Sequence, residues 1–515
     1  MTEHDQGFGA TGEGATEADR STQEQGAIPW TPEQVKRVSG AFLAKKPLIC
    51  PMCSGPLVTG EAPGPRSGKI EVAFHCQRCR AGIRAPFRRF DPVDFIQPPF
   101  ETCPKCGQDE FGVLMIHGDN YTRRCRRREC WNTVTYRLPR PTKAVIYLDQ
   151  HLVSDMMKAL HPADPARAER AGYARRVFEV LDRAVKLQVV ICPDSRIHAK
   201  ESMVTKDFRA LERMYEQLSR KVSFPEVWDI KVAQVVEHAR NWHRGAPYKP
   251  SELVVQDVIE DDVHGWHDNL MIGMAYAPDP ETVALVRARR DRIETNLTTA
   301  CHEWAKHGGS FDDFVEDMVR AFPRGILKEF AAQMERLPDL MAGRVVPNPG
   351  DSDEPLCMEL LNAIAYALHE EGLELRAAMG RALDYFRKAD HSGVPFVHIE
   401  SLVCAALGWQ FARGGRKRKL GRGTTNDLSV IMHFLPYCDA MYVDNEMSDI
   451  VNDQRVRKEL TWPTRVFSRK TIDVFIAYVE GLVASSPAEQ LALVWRVYGE
   501  NWGQPFTDMY KPPTP

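Results

Sequence analysis

Ala144-Val145-Ile146-Tyr147-Leu148-Asp149, continuing Gln150-His151-Leu152-Val153-Ser154-Asp155, is the stretch whose reading decides the fold. Its apolar run does not alternate with polar residues, which is the pattern of a strand buried on both faces, as in a parallel α/β sheet. The run stops at a carboxylate. In open α/β sheets the ligand crevice lies beyond the carboxyl ends of the strands, so Asp149 stands where chemistry is usually done. Taken alone, Asp149 reads equally well as the N-cap of a following helix.

Three other stretches repeat the theme. Gln188-Val-Val-Ile-Cys192 is a second buried-type strand, ending at Pro193-Asp194-Ser195. Ser195 can cap a helix that carries His198 and Glu201, three apart and therefore on one face. Far downstream, Thr424-Thr-Asn-Asp427-Leu-Ser-Val-Ile-Met places an acid at the opening of an apolar helix. A short strand over 440–443 then ends at Asp444. A further strand over 464–467 and helices over 469–484 and 487–498 complete an α/β layer, and 165–186 is helical in pattern. Between about 220 and 412 the periodicity is mainly helical, interrupted by Pro and Gly. His302-Glu303-Trp-Ala-Lys-His307 does not make the metalloprotease motif, because its second His falls off the required face. Asp261, Asp262, His264 and His267 read as a polar loop before they read as a metal site.

With 515 residues, 43% hydrophobic and 27% charged, the chain has the composition of a soluble multidomain protein, and its net charge of -3 excludes no partner by itself. It has no apolar run long enough to span a bilayer and no signal pattern at its start, so the expectation is a cytoplasmic protein without membrane contact. Residues 1–28 are rich in Gly, Thr, Glu and Gln and read as a disordered tail. Trp30 opens a short helix with Thr31 as N-cap and Pro32 at its first position.

Of thirteen cysteines, eight form four tight pairs between Cys50 and Cys130, which points to metal rather than disulfides in a reducing compartment. Cys50-Pro-Met-Cys53 with Cys76-Gln-Arg-Cys79, and Cys103-Pro-Lys-Cys106 with Cys125-Arg-Arg-Arg-Glu-Cys130, resemble two zinc ribbons with strands over 70–74 and 133–137. Four thiolates close a tetrahedral site, so the zinc would be structural. Cations and aromatic rings surround both: Arg78, Arg80, Arg84, Arg88 and Arg89 with Phe87 and Phe90 around the first, and Arg123, Arg124, Arg126, Arg127 and Arg128 with Tyr121, Trp131 and Tyr136 around the second, opposed only by Glu129. Such a mixture suits phosphates and bases; a solvated basic rim or a patch for an acidic protein is the alternative. Arg416, Lys417 and Arg418 form a further candidate phosphate contact. Arg137, Arg140 and Lys143 lead into the strand at 144 and suggest that it joins substrate capture to the acids.

The phrases Ile-Tyr-Leu-Asp149-Gln, Pro193-Asp-Ser-Arg-Ile-His198-Ala-Lys-Glu201 and Leu-Pro-Tyr-Cys-Asp439-Ala-Met-Tyr-Val-Asp444, with Asp427, resemble the acidic quartet of PIN-domain and PIN-like nucleases. The likeness covers about 143–219 and 424–502. It departs from the compact family pattern in its long helical stretch, and Gln150-His151 stands where Thr-Asn is frequent. The resemblance implies a PIN-like parallel sheet flanked by helices, split by a helical insertion, and a catalytic site for Mg2+ or Mn2+ held by Asp149, Glu201, Asp427 and Asp444. Ser195, His198 and Asp439 are then supporting candidates behind the ligands. Hard cations favour carboxylate oxygen, and clustered acids repel one another without one.

The expected organisation is a tail (1–28), a short helix with ribbon 1 (29–97), ribbon 2 (98–142), the PIN-like domain in two parts (143–219 and 424–502) around a helical insertion (220–423), and a tail (503–515). The expected function is a metal-dependent nuclease, RNA before DNA, with zinc ribbons for substrate. The alternative is a catalytically inactive adaptor that binds nucleic acid or protein. The insertion could serve a protein partner or self-association.

Overall fold

The runs that lack polar alternation become buried strands of the computed structural model. It describes residues 30–43, 46–63, 69–88, 92–161, 165–246, 254–268, 279–307, 309–344, 356–414 and 423–511. The tail over 1–28, Arg89 and Phe90, and the basic run with Arg416, Lys417 and Arg418 lie outside these residues. The chain divides into two units, one of residues 1–115 with 121–136, the other of 116–120 with 137–515.

In the first unit, α1 (Pro32–Leu43) starts at a reciprocal cap: the Gln34 N–H donates to the Thr31 hydroxyl at 3.3 Å and the Thr31 N–H to the Gln34 side chain at 2.8 Å. Strands β1 (Leu57–Pro63), β2 (Lys69–Cys76) and β3 (Gly82–Arg88) form an antiparallel sheet in that order. Trp30 and Val38 pack with Val72, Phe74 and the sulfur ligands Cys50 and Cys76. A second sheet runs β4 (Gln97–Glu101), β5 (Phe111–His117), β6 (Asn120–Cys125), β7 (Thr133–Arg137). Each sheet has a small core, and the four-cysteine groups beside them are placed where a bound metal would add stability.

The second unit opens with β8 (Ala144–Leu148) and α2 (Gln150–Leu160). The helix expected over 165–186 is two, α3 (Pro165–Arg170) and α4 (Gly172–Lys186), because the backbone leaves helical geometry at Ala171. Then come β9 (Val190–Ile191), β10 (Asp194–Ser195), α5 (Arg196–Met203), α6 (Phe208–Ser219), β11 (Ser223–Phe224) and α7 (Val227–Arg244). The helical stretch adds α8 (Pro280–His307), α9 (Phe311–Met341), α10 (Leu356–Glu370), α11 (Leu375–Lys388) and α12 (Pro395–Gly414). The chain returns through α13 (Thr424–Phe434), β12 (Ala440–Tyr442), α14 (Asn445–Val451), α15 (Gln454–Glu459), β13 (Arg465–Phe467), α16 (Ile472–Ala484) and α17 (Ala488–Tyr498).

A mixed α/β fold results. Its central sheet is parallel throughout, in the order β13-β12-β8-β9. From β8 the chain first steps outward to β9; after the helical stretch it returns to the other side of β8 as β12 and steps on to β13. The helical stretch is no appendage. Cys301, Phe311, Phe314 and the length of α12 from Ile399 to Phe411 share one core with Val145, Tyr147 and Ile191 of the sheet. A second core joins α7, α10 and α11 around Leu361, Ile364, Tyr385 and Phe396. No helix among the described residues is long and apolar enough to cross a membrane.

The second core encloses imidazoles. His238 Nδ1 lies 2.9 Å from the Tyr385 hydroxyl, and His391 stacks on Phe386 at 5.7 Å. Burial lowers both from 6.5 to about 4. A histidine whose folded pKa is depressed is neutral in the native state, so acidification charges it preferentially in the unfolded chain. Stability should therefore fall as pH drops from about 6.5 towards 4. Urea unfolding followed across that window should show a declining midpoint, with a shallower decline in His391→Phe; an identical pH dependence in the variant contradicts the assignment.

Candidate functional site

The sheet order creates a switch point. Successive strands leave β8 in opposite directions, so the crevice at the carboxyl ends of β8 and β12 is left uncovered by either crossover, which is where ligands bind in open α/β sheets. Tyr442 lies opposite Leu148 in the parallel register, and the Asp149 N–H donates to the Tyr442 carbonyl at 2.9 Å. Asp149 and Asp444 therefore end adjacent strands on the two sides of the crevice.

Both acids are also helix caps. Asp149 accepts from the His151 N–H at 3.3 Å at the start of α2, and Asp444 accepts from the Met447 N–H at 2.6 Å at the start of α14. Capping uses one face of a carboxylate and fixes the direction of the rest. Ser195 caps α5 by accepting from the His198 N–H at 3.2 Å, as its sequence position suggests, and that helix carries Glu201 to the same cleft. Asp427 arrives on the first turn of α13. Asp149, Glu201 and Asp427 line one small cleft with Tyr147, Ile197, Val430 and Val443; its free space is about 10 Å³, room for one water-sized sphere.

The electrostatics tie in the fourth acid. Burial raises the Asp444 carboxyl above its ordinary range, the Met447 N–H opposes this, and the charges of Asp149 and Glu446 push it further up. Asp149 goes the other way: burial works upward, but the hydrogen bonds and charge of His151 hold it below the ordinary value. His151 Nδ1 lies 2.8 Å from Asp149 Oδ2. Burial disfavours its charged form, yet Asp149, Asp444 and Asp155 together raise its pKa. The Tyr147 hydroxyl is pushed well up by burial and by Asp149, Glu201 and Asp427. Like charges are crowded here, and a cation would relieve them.

Sequence reasoning missed two members. His151, quoted only as a departure from a motif, is the direct partner of Asp149. Asn426 donates to Glu201 Oε1 at 2.8 Å and so joins α13 to α5; its only signal was its place beside Asp427. His198, a supporting candidate, is buried between the rings of Tyr147 and Tyr215 at 4.8 and 4.5 Å, and burial lowers it to about 4. It is neutral and lies behind Tyr147, which lines the cleft.

Several expectations need correction. Asp439 stands at the amino end of β12, where its Oδ2 accepts from the Val145 N–H at 2.8 Å and its own N–H donates to the Val145 carbonyl at 2.9 Å. Four residues of strand, about 13 Å, separate it from the end at Asp149, so it sets register and supports no ligand. Arg140 pairs with Asp262, and Lys143 is 3% exposed, its ammonium bonded to the Gly265 carbonyl and 3.1 Å from His267 Nε2. Burial lowers Lys143 to about 7. These cations clamp the segment over 254–268 to the amino end of β8, opposite the acids, and do not hand substrate to them. The same bonds account for Asp262, His264 and His267 without a metal.

In the ribbons, the sulfurs are gathered as zinc requires. Cys50–Cys79 and Cys53–Cys76 are 3.6 and 3.5 Å apart, and Cys103–Cys130 and Cys106–Cys125 are both 3.7 Å. Sulfurs about 2.3 Å from a tetrahedral zinc stand about 3.8 Å apart. Both four-cysteine groups could hold a zinc ion. Among the described residues they are the only groups of three or more His, Cys, Asp or Glu whose ligand atoms all lie within 4.8 Å of one another. The acids share a cleft but do not close to that spacing.

The basic surface also changes. Arg123 is fully buried; it donates to the Pro99 and Phe111 carbonyls at 2.9 and 2.8 Å and pairs with Glu101 at 3.0 Å, so it holds the second sheet together and is withdrawn as a nucleic-acid contact. Arg124 lies 4.4 Å over the Trp131 ring and Arg126 5.2 Å over Phe100. Glu129 is not the only counter-charge, since Glu110 lies 3.9 Å from Arg126 and Glu129 3.8 Å from Arg127. Arg127 and Arg128 are exposed.

No family model, curated protein or solved structure matches the chain.

Two measurements probe these placements. Metal analysis of the purified chain should find about two zinc per molecule, and a chelator strong enough to strip them should unfold the first unit; a metal-free, folded chain contradicts the ribbons. Asp439→Ala should lower unfolding stability by about 1–3 kcal/mol, the cost of an unpaired strand N–H, measured in urea. A variant as stable as the parent contradicts the register role.

Proposed function

We propose that this chain is a metal-dependent nuclease of the PIN-like kind, hydrolysing phosphodiester bonds of nucleic acid, RNA before DNA. The reading is carried by one observation: Asp149 and Asp444 end neighbouring parallel strands at the switch point, while Glu201 and Asp427 line the cleft beside them. Asp149, Asp444, Glu201 and Asp427 are the groups that would hold Mg2+ or Mn2+, which when bound supplies charge neutralisation at phosphorus and a more acidic water.

The chain's own residues do the rest. The caps of α2 and α14 aim Asp149 and Asp444. His151 holds Asp149 in its charged form and Asn426 orients Glu201. Tyr147, backed by the neutral His198, forms with Val430 and Val443 a wall that limits water and strengthens the fields inside. The ribbons, through Arg124 on Trp131, Arg126, Arg127 and Arg128, would bind the substrate backbone and stack bases.

The wide spacing of the acids also favours a second reading, an inactive adaptor that binds nucleic acid or protein. One assay separates the two. With labelled RNA and DNA, the protein should cut in Mg2+ or Mn2+ and not in EDTA. Asp149→Asn and Asp444→Asn, which keep the caps because Asn caps as well as Asp, should cut at least about 100-fold more slowly. No cleavage by the parent, or parental rates in both variants, would sink the enzyme reading.

A further inference from the structure

The acids at this edge, three lining the cleft and Asp444 on the neighbouring strand, repel the polyanion proposed to be cut, so a cation beside them is needed to hold the strand. The register of the sheet identifies one. Tyr442 pairs with Phe467, and the Val443 N–H donates to the Phe467 carbonyl at 2.9 Å. Counting two residues onward on each strand sets Arg469 beside Asp444. The backbone stays extended on the way, at Ser468 and Asp444 alike. The Lys470 N–H donates to the Asn445 side chain at 3.3 Å, which confirms that the two loops run side by side. With strands about 4.8 Å apart, the Arg469 backbone is about 5 Å from that of Asp444 and about 10 Å from that of Asp149.

Arg469 differs from the other cations around this edge. Lys158 is paired with Asp155 at 2.9 Å, Lys470 with Asp449 at 2.7 Å and Arg176 with Asp473 at 3.4 Å. Arg469 is exposed and has no ion-pair partner among the described residues. Its guanidinium lies 4.6 Å over the Tyr173 ring, and that ring is fixed from behind, its hydroxyl donating to Asp155 at 2.5 Å. Asp155 sits one turn along α2 from His151. The Arg469 charge also reaches the Tyr442 hydroxyl, whose ring is 5.8 Å from that of His151. A guanidinium stacked on a braced ring keeps its planar fork of donors outward and loses little freedom on binding, which is the form in which arginine takes a phosphate.

We propose that Arg469, stacked on Tyr173, binds a backbone phosphate of a nucleic acid strand next to the acidic cleft. This rests on the nuclease reading for its substrate class and adds the residue that positions the strand. The contact needs no particular base, so it gives affinity and orientation rather than sequence preference.

The test reads binding, not cleavage. Full-length Asp149→Asn protein is titrated into fluorescein-labelled single-stranded RNA, and anisotropy is followed from low to physiological salt. Adding Arg469→Gln should weaken binding several-fold and reduce the slope of log K against log salt by about 0.7, the value for one phosphate contact on a single strand. Arg469→Lys should keep the slope and recover part of the affinity, since it restores the charge without the fork. An Arg469→Gln variant with the parental slope and affinity overturns the proposal, as does a full-length chain that does not bind the strand. Should Arg469→Gln melt at a lower temperature, the Arg469→Lys comparison decides alone: loss of slope there overturns the proposal. A strand that is bound with the expected slopes but never cut by the wild-type chain removes the nuclease reading and leaves this contact standing.

Discussion

The pairing of β8 with β12 is the constraint on which everything else depends. It joins residues nearly three hundred positions apart and is fastened at both ends: Asp439 grips the backbone of Val145 at one, and the Asp149 N–H reaches the Tyr442 carbonyl at the other. A one-residue slip would exchange the faces of a strand that is buried on both, and would move Asp444 away from Asp149. Closing so long a loop costs little more than closing a short one, about 0.6 kcal/mol per doubling. The helical stretch between the strands is therefore no thermodynamic burden, and it returns burial: α12 lies in the same core as the sheet.

The question that Asp149 poses in the sequence, helix cap or reactive acid, loses its force in the fold. It caps α2 and it faces the cleft. Asp444 likewise caps α14, at the end of the strand beside it. A helix N-terminus stabilises a carboxylate through its N–H groups and dipole, so a strand-to-helix turn is a place where charge can be kept at low cost. What the helices do not settle is the mutual repulsion of acids drawn to one edge. His151 answers part of it at Asp149, while at Asp444 burial first, and then the charges of Asp149 and Glu446, hold the carboxyl above its ordinary range. A cation would relieve the like-charge part of that shift.

Much of this was legible beforehand, for identifiable reasons. The strand at 144–148 and the strand at 133–137 read to the residue because one is continuously apolar and the other alternates. The knuckles and the caps at Thr31 and Ser195 are local, and local signals survive folding. The errors share a cause: residue type gives charge but not side. Arg123 counted as a surface cation, although it lies two residues from Cys125 and two from Tyr121 on a strand whose inward positions alternate. Period-two reading put it on the ligand face all along. Lys143 and Asp439 were assigned to the acids by nearness in sequence, whereas a strand has two ends and both belong to the far one. His151 and Asn426 escaped because polar residues beside a conspicuous acid carry no periodic signal of their own.

The two ends of the central sheet thus hold opposite solutions to the same electrostatic problem. At the amino end, Arg140 and Lys143 are consumed by Asp262, Gly265 and His267, and Asp439 by backbone, so charge there is spent on holding the fold. At the carboxyl end Asp149 and Asp444 close neighbouring strands, and Lys158 and Lys470 are each paired with a different aspartate. A surplus of like charge inside a fold is destabilising, by an amount that structural needs alone give no reason to bear. On the proposed reading the ligand that completes the site is of mixed sign, a cation for the acids and an anion for the Arg469 guanidinium, which has no ion-pair partner among the described residues, and a metal ion bound with a phosphodiester would be both at once.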